Sequence, residues 1–207
     1  ALGVIRILIE RGQYVSLAAL VDLAFASFDA VPAVNAQPAP ALDFLYDRAR
    51  GYLREQGYSA NQIAAVIDAR PDVIADLPAR LAAVQAFSSL PEAAALAAAN
   101  KRIVNILKKS GDEAAPAVDH ARLADGAEHD LYMAFQKLAP QVETDYGSGD
   151  FEGALRALAT AKPAVDRYFD DVMVMADDPA IRANRLALLR GVAATMNRVA
   201  DISKLAQ

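Results

Sequence analysis

The chain has 207 residues, 55% hydrophobic and 7% aromatic, with a formal net charge of -5 and no cysteine. That length buries one good core, or one core with an appendage, and the missing cysteine excludes disulfides and thiolate metal sites and fits a reducing cytoplasm. An acidic average runs against nucleic-acid binding, so any such site must be a local concentration of positive charge. Much of the apolar content is alanine, the strongest helix former, which points to closely packed helices. No run approaches the roughly eighteen apolar residues of a membrane span. The opening Ala1-Leu2-Gly3-Val4-Ile5-Arg6 has no signal-peptide pattern and reads as the middle of a helix, as if cut from something longer.

Apolar residues at spacings of three and four predict helices over residues 2–11, 17–28, 41–56, 61–69, 72–87, 92–109, 128–142, 151–174 and 179–205. No alternating run suggests a strand. Gly12, Gly57 and Gly111 stand where helices end, Ser59 where one begins, and Pro71, Pro91 and Pro179 suit first-turn positions. Residues 31–40, with three prolines and no period, read as a connector. Residues 110–126 mix Gly, Asp and Pro, and read as a mobile surface loop.

The first element that looks functional is the helix over 43–54. Leu45, Ala49, Tyr52 and Leu53 share an apolar side, while Phe44 projects outward with Arg48 one turn below. An outward aromatic beside arginine suits base stacking on a splayed single strand; equally, such a ring packs on a neighbouring element. Arg48, Arg50 and Arg54 are either phosphate contacts or intrahelical partners of Asp47 and Glu55.

The helix over 92–109 is more informative. At about 100° per residue, Lys101, Arg102, Asn105, Lys108 and Lys109 fall within an arc of roughly 120°. Ile103, Val104, Ile106 and Leu107 fill the opposite side, and no acidic residue lies between Ala93 and Gly111. Such a stripe is either a solvated face, its end favoured by the helix dipole, or a phosphate- and base-contacting surface. Asn100 projects into the apolar sector and reads as a buried amide fixing a neighbouring loop.

Nothing in the chain has the pattern of an active site. His120 and His129 have no zinc-ligand spacing and read as surface residues. Asp170, Asp171, Asp177 and Asp178 could suggest a carboxylate-held metal. However, Asp177-Asp178-Pro179 is a helix-start signal, and Arg182 and Arg185 follow within reach, so the four acids read as a buried or half-buried charge network locking a hairpin. No phosphate loop, nucleophile elbow or Ser/His/Asp arrangement is present.

Residues 97–109 (Ala-Ala-Ala-Asn-Lys-Arg-Ile-Val-Asn-Ile-Leu-Lys-Lys), 169–178 (Phe-Asp-Asp-Val-Met-Val-Met-Ala-Asp-Asp), 182–189 (Arg-Ala-Asn-Arg-Leu-Ala-Leu-Leu) and 200–205 (Ala-Asp-Ile-Ser-Lys-Leu) together resemble the beta subunits of bacterial glycyl-tRNA synthetases. Residues 42–58 fit the same pattern, and residues 1–8 resemble the end of that family's preceding HD-like region. The resemblance implies a heterotetramer of two alpha and two beta subunits. In it the alpha subunit resembles a class II catalytic core and activates glycine with ATP, while the beta subunit recognises tRNA. It implies an all-α helical bundle of the DALR type, similar to the anticodon-binding domain of arginyl-tRNA synthetase. The expected layout is a helical remnant over 1–31, a connector over 32–40 and the anticodon-binding-like domain over 41–207. A helix resembling 100–109 flanks the anticodon in that domain type, which carries over Lys101, Arg102, Asn105, Lys108 and Lys109 as RNA-binding residues. Phe44, Arg48 and Arg50 follow, and 169–189 are taken to carry the fold. The implied partners are tRNA-Gly and the alpha subunit, in the cytoplasm, with neither membrane nor DNA. No catalytic residue, metal or cofactor is expected in this chain, ATP being used by the alpha subunit. A helical protein–protein scaffold with a basic docking face is the alternative.

Overall fold

The periodic segments form ten α-helices and three short 3-10 turns, with no strand, among the described residues 1–28, 37–111 and 117–206 of the computed structural model. They group into two compact units, Ala1–Ala82 and Ala83–Gln207, the boundary falling within helix α5 (Leu77–Ser88).

The first unit holds α1 (Leu2–Glu10), α2 (Leu17–Ala26), α3 (Pro38–Glu55), α4 (Ala60–Ile67) and a 3-10 turn at Ile74–Asp76. Helices α1 and α2 pack on α3. Residues 29–36, which include the first part of the expected connector, lie outside the described residues. Its last prolines, Pro38 and Pro40, open α3, where the missing N–H groups have no helical acceptor to lose. Ser59 starts α4 through a capping box: its hydroxyl accepts from the Gln62 amide at 3.3 Å, and the Gln62 side chain accepts from the Ser59 amide at 3.0 Å. Gly57, beyond the end of α3, takes a φ of +91°, a conformation open to glycine at little cost. The core gathers Ile5, Leu8, Leu17, Ala49, Leu53, Ile63, Val66 and Ile74. Tyr46 joins it where Leu45 was expected, because the Tyr46 hydroxyl donates to the Pro71 carbonyl at 3.2 Å. Pro71 lies in irregular chain ahead of the Ile74–Asp76 turn rather than in the first turn of a helix.

The second unit holds α6 (Ala93–Ser110), a 3-10 turn at His120–Arg122, α7 (Ala127–Ser148), α8 (Phe151–Ala159), α9 (Lys162–Asp171), α10 (Pro179–Met196) and a 3-10 turn at Ile202–Leu205. Helix α7 buries Leu131, Phe135, Leu138 and Val142, one stripe at spacings of three and four. The helix expected over 151–174 is two: the chain breaks at Thr160 and Ala161 because Pro163, in the first turn of α9, could not continue a helix from upstream. The helix expected to run to 205 ends at Met196. There the Asp201 carboxylate accepts from the Ser203 amide at 3.1 Å, giving the backbone a local alternative to the helix.

The hairpin between α9 and α10 corrects the expected charge network. Asp170 and Asp171 are exposed, with Asp171 facing Arg167 at 3.5 Å. The buried carboxylate is Glu128, which accepts from the Ala124 amide at 3.1 Å and pairs with Arg185. Arg185 also donates to the Met173 carbonyl and Arg182 to the Ala176 carbonyl, each at 2.8 Å, so both arginines hold main chain of the hairpin. Asp178 caps α10 as expected, accepting from Ala180 at 2.7 Å and Ile181 at 3.2 Å. Those bonds hold its carboxyl below the usual range, so the cap is complete above about pH 4 and is lost as pH falls through the lowered value.

Residues 117–126 of the expected loop are tied to α10 through Asp119. Residues 112–116 lie outside the described residues. Beyond them Asn184 clamps Asp119 on both sides, accepting from its amide at 2.7 Å and donating to its carbonyl at 3.1 Å. A buried amide with two main-chain partners fixes a polar loop that has little apolar area of its own to bury. No single helix among the described residues is long and apolar enough to cross a membrane.

Candidate nucleic-acid interface

Helix α6 turns its alanine-rich side inward. Ala93, Leu96, Ala97, Asn100 and Ile103 are buried at helical spacing, and Val104, Ile106 and Leu107 are half-buried. Lys101, Arg102, Asn105, Lys108 and Lys109 are all exposed. At about 1.5 Å per residue, the stripe runs about 12 Å along the helix. Lys108 and Lys109 lie in the last turn, where the dipole favours cations. Lys101 and Arg102 lie two turns earlier and gain nothing from it.

None of the four cations forms an ion pair among the described residues, while at least ten other cations of the chain do. Asp112 and Glu113, next in sequence, lie outside the described residues. A protein that neutralises most of its arginines yet leaves this row open presents a positive strip on an acidic body. Arg102 has one contact of a different kind: its Cζ lies over the Phe169 ring, 4.2 Å from the centroid.

Asn100 is fully buried, as expected, and the segment it fixes is the turn that begins at Asn197, after the end of α10. It donates to the Asn197 side chain at 2.6 Å, and Asn197 donates back at 3.4 Å. Asn100→Ala leaves Asn197 without that partner and is expected to cost about 2 kcal/mol of stability. Thermal melts check this; an unchanged melting temperature would show that the amide pair does not hold the turn after α10.

The second set of anticipated residues belongs to the first unit. Phe44 is 51% exposed, and Arg48 lies over its ring, 4.9 Å from the centroid. Arg48 has Asp47 at 3.8 Å, the expected partner, whereas Arg50 is half-buried and paired with Asp68 beyond the end of α4. A groove of about 310 Å³ beside them is lined by Arg48, Arg50 and Arg54 together with Asp47 and Glu55. Its signs are mixed. That makes it a weaker anion site than the open row on α6.

His120 meets His129 edge-on at 5.6 Å and Tyr132 at 5.3 Å, forming an aromatic cluster. Among the described residues no three His, Asp or Glu side chains stand close enough to hold a metal ion. Glu128 and Phe169 went unremarked as individual residues in the sequence, since a lone buried acid and a half-buried ring carry no spacing signal.

Residues 96–204 match the DALR anticodon binding domain. The chain belongs to that family. It is 52% identical over 205 residues to the glycine–tRNA ligase beta subunit of Dechloromonas aromatica, covering 99% of this chain. It is 51% identical over 206 residues to that of Ralstonia nicotianae and 50% over 206 residues to that of Thiobacillus denitrificans, each covering the whole chain. The chain spans about 29% of the length of these relatives. The resemblance drawn from the sequence is therefore borne out, as is the all-α class. The α6 stripe and Phe169 lie inside the matched DALR residues; Phe44, Arg48 and Arg50 lie outside them.

Proposed function

We propose that this chain is the tRNA-gripping part of a glycyl-tRNA synthetase beta subunit, and that α6 lays its basic stripe against the anticodon region of tRNA-Gly. The observation that carries this reading is the row of Lys101, Arg102, Lys108 and Lys109, exposed and without ion pairs among the described residues, inside the DALR-matched segment. The lysines meet phosphates, which set position and affinity, and the Asn105 amide reads a base edge or a 2′-hydroxyl. Phe44 and Arg48 serve as a secondary stacking site, with Arg50 released to phosphate only if it leaves Asp68. Glycine activation with ATP belongs to an alpha-subunit partner in the cytoplasm, and this chain contributes binding alone. Residues 1–31 are the end of a preceding HD-like region.

An electrophoretic shift of this chain with tRNA-Gly and with a non-cognate tRNA tests the reading. Tighter binding of tRNA-Gly is the expected result. Absence of any tRNA shift overturns it and favours a scaffold that docks an acidic protein.

A further inference from the structure

Arg102 differs from the lysines that flank it in what holds it. The Phe169 ring stands near the end of α9 and meets Tyr168 edge-on at 5.5 Å, and Tyr168 is fully buried. The ring is thus anchored in the second unit's core while remaining half-exposed. Arg102 rests on it at 4.2 Å, is itself exposed, and has no ion pair among the described residues. A lysine on a free stem must give up rotamer freedom to meet a phosphate. A planar guanidinium already laid on an aromatic ring has given up much of that freedom.

We infer that Arg102 and Phe169 form a stacking platform for an unpaired nucleobase, with Arg102 touching the base and Phe169 positioning Arg102. The inference rests on the RNA-binding reading above and gives one of its residues a distinct role. Stacking on arginine planes and aromatic rings is how single-stranded RNA bases are held, and it tolerates any base because each has a π-face. The position suits it: the platform sits beside the lysine row on α6, so a strand whose phosphates follow the lysines has a base within reach of Arg102. On this account Arg102 contributes a flat surface more than a charge.

The test uses this chain, tRNA-Gly transcripts and a salt series, with melting temperature as control. Arg102→Lys keeps the charge and loses the plane; Phe169→Leu keeps apolar volume and loses the ring; Phe169→Tyr keeps the ring. The first two are each expected to weaken binding about tenfold with the salt slope unchanged, and the third to stay within about twofold of wild type. Against transcripts carrying a single abasic nucleotide in the anticodon loop, one position should erase the difference between wild type and Phe169→Leu. Should Phe169→Leu melt early, Arg102→Lys, an exposed change, carries the test. Wild-type affinity in Arg102→Lys and Phe169→Leu overturns the platform, as does a loss that every abasic transcript shows equally. If the wild-type chain binds no tRNA, the functional reading itself has failed. If it binds and only the lysine variants weaken it, this inference alone has failed.

Discussion

Glu128→Ala is expected to lower stability by about 3 kcal/mol and the melting temperature by roughly 6–12 °C. The Glu128 side chain is 1% exposed and that of Arg185 is 16% exposed. Removing the carboxylate strands a largely desolvated guanidinium and leaves the Ala124 amide without its acceptor. It also frees the end of Arg185 that holds the Met173 carbonyl, and so loosens the hairpin before α10. Glu128→Gln keeps an acceptor for Ala124 but not the charge, and should fall between. The double variant Glu128→Leu, Arg185→Met should lose less than the sum of the two single changes, because replacing a buried pair by apolar groups leaves no unpaired charge. Thermal unfolding followed by circular dichroism measures all five variants. A Glu128→Ala protein within about 1 kcal/mol of wild type would show that the pair does not lock this hairpin.

The helical class was legible because apolar spacing and glycine, serine and proline punctuation agree along most of the chain. The α6 stripe was legible for a local reason too: on one helix, projection alone separates Lys101, Arg102 and Asn105 from Ile103 and Leu107, and the structure exposes the first three. What was not legible depends on contacts between distant segments. Glu128 and Arg185 lie 57 residues apart in sequence, and Asn184 and Asp119 lie 65 apart. No spacing rule joins them. The aspartates close to Arg185 in sequence suggest its partner, while Glu128 on another helix is the acid it pairs with. The break between α8 and α9 was missed because an apolar period can continue in phase across a two-residue interruption, and only Pro163 marks it. On α6 alone Arg102 is one cation among four; its ring partner, Phe169, stands on another helix.

The claim that α6 grips RNA through its open cations is tested most directly by one titration. The variant Lys101→Gln, Lys108→Gln, Lys109→Gln is compared with wild type for binding of tRNA-Gly between about 50 and 200 mM salt. Each phosphate neutralised on a single strand contributes about -0.7 to the slope of log affinity against log salt, so losing three lysines should flatten it by about 2 and weaken binding on the order of a hundredfold near 0.1 M. Asn105→Ala, which removes no charge, should cost affinity and leave the slope nearly unchanged. The melting temperature should barely move, since exposed helical lysines contribute only tenths of a kcal/mol. A folded triple-lysine variant that binds as tightly as wild type, with the same slope, would mean that α6 carries a solvated face and that the RNA site lies elsewhere.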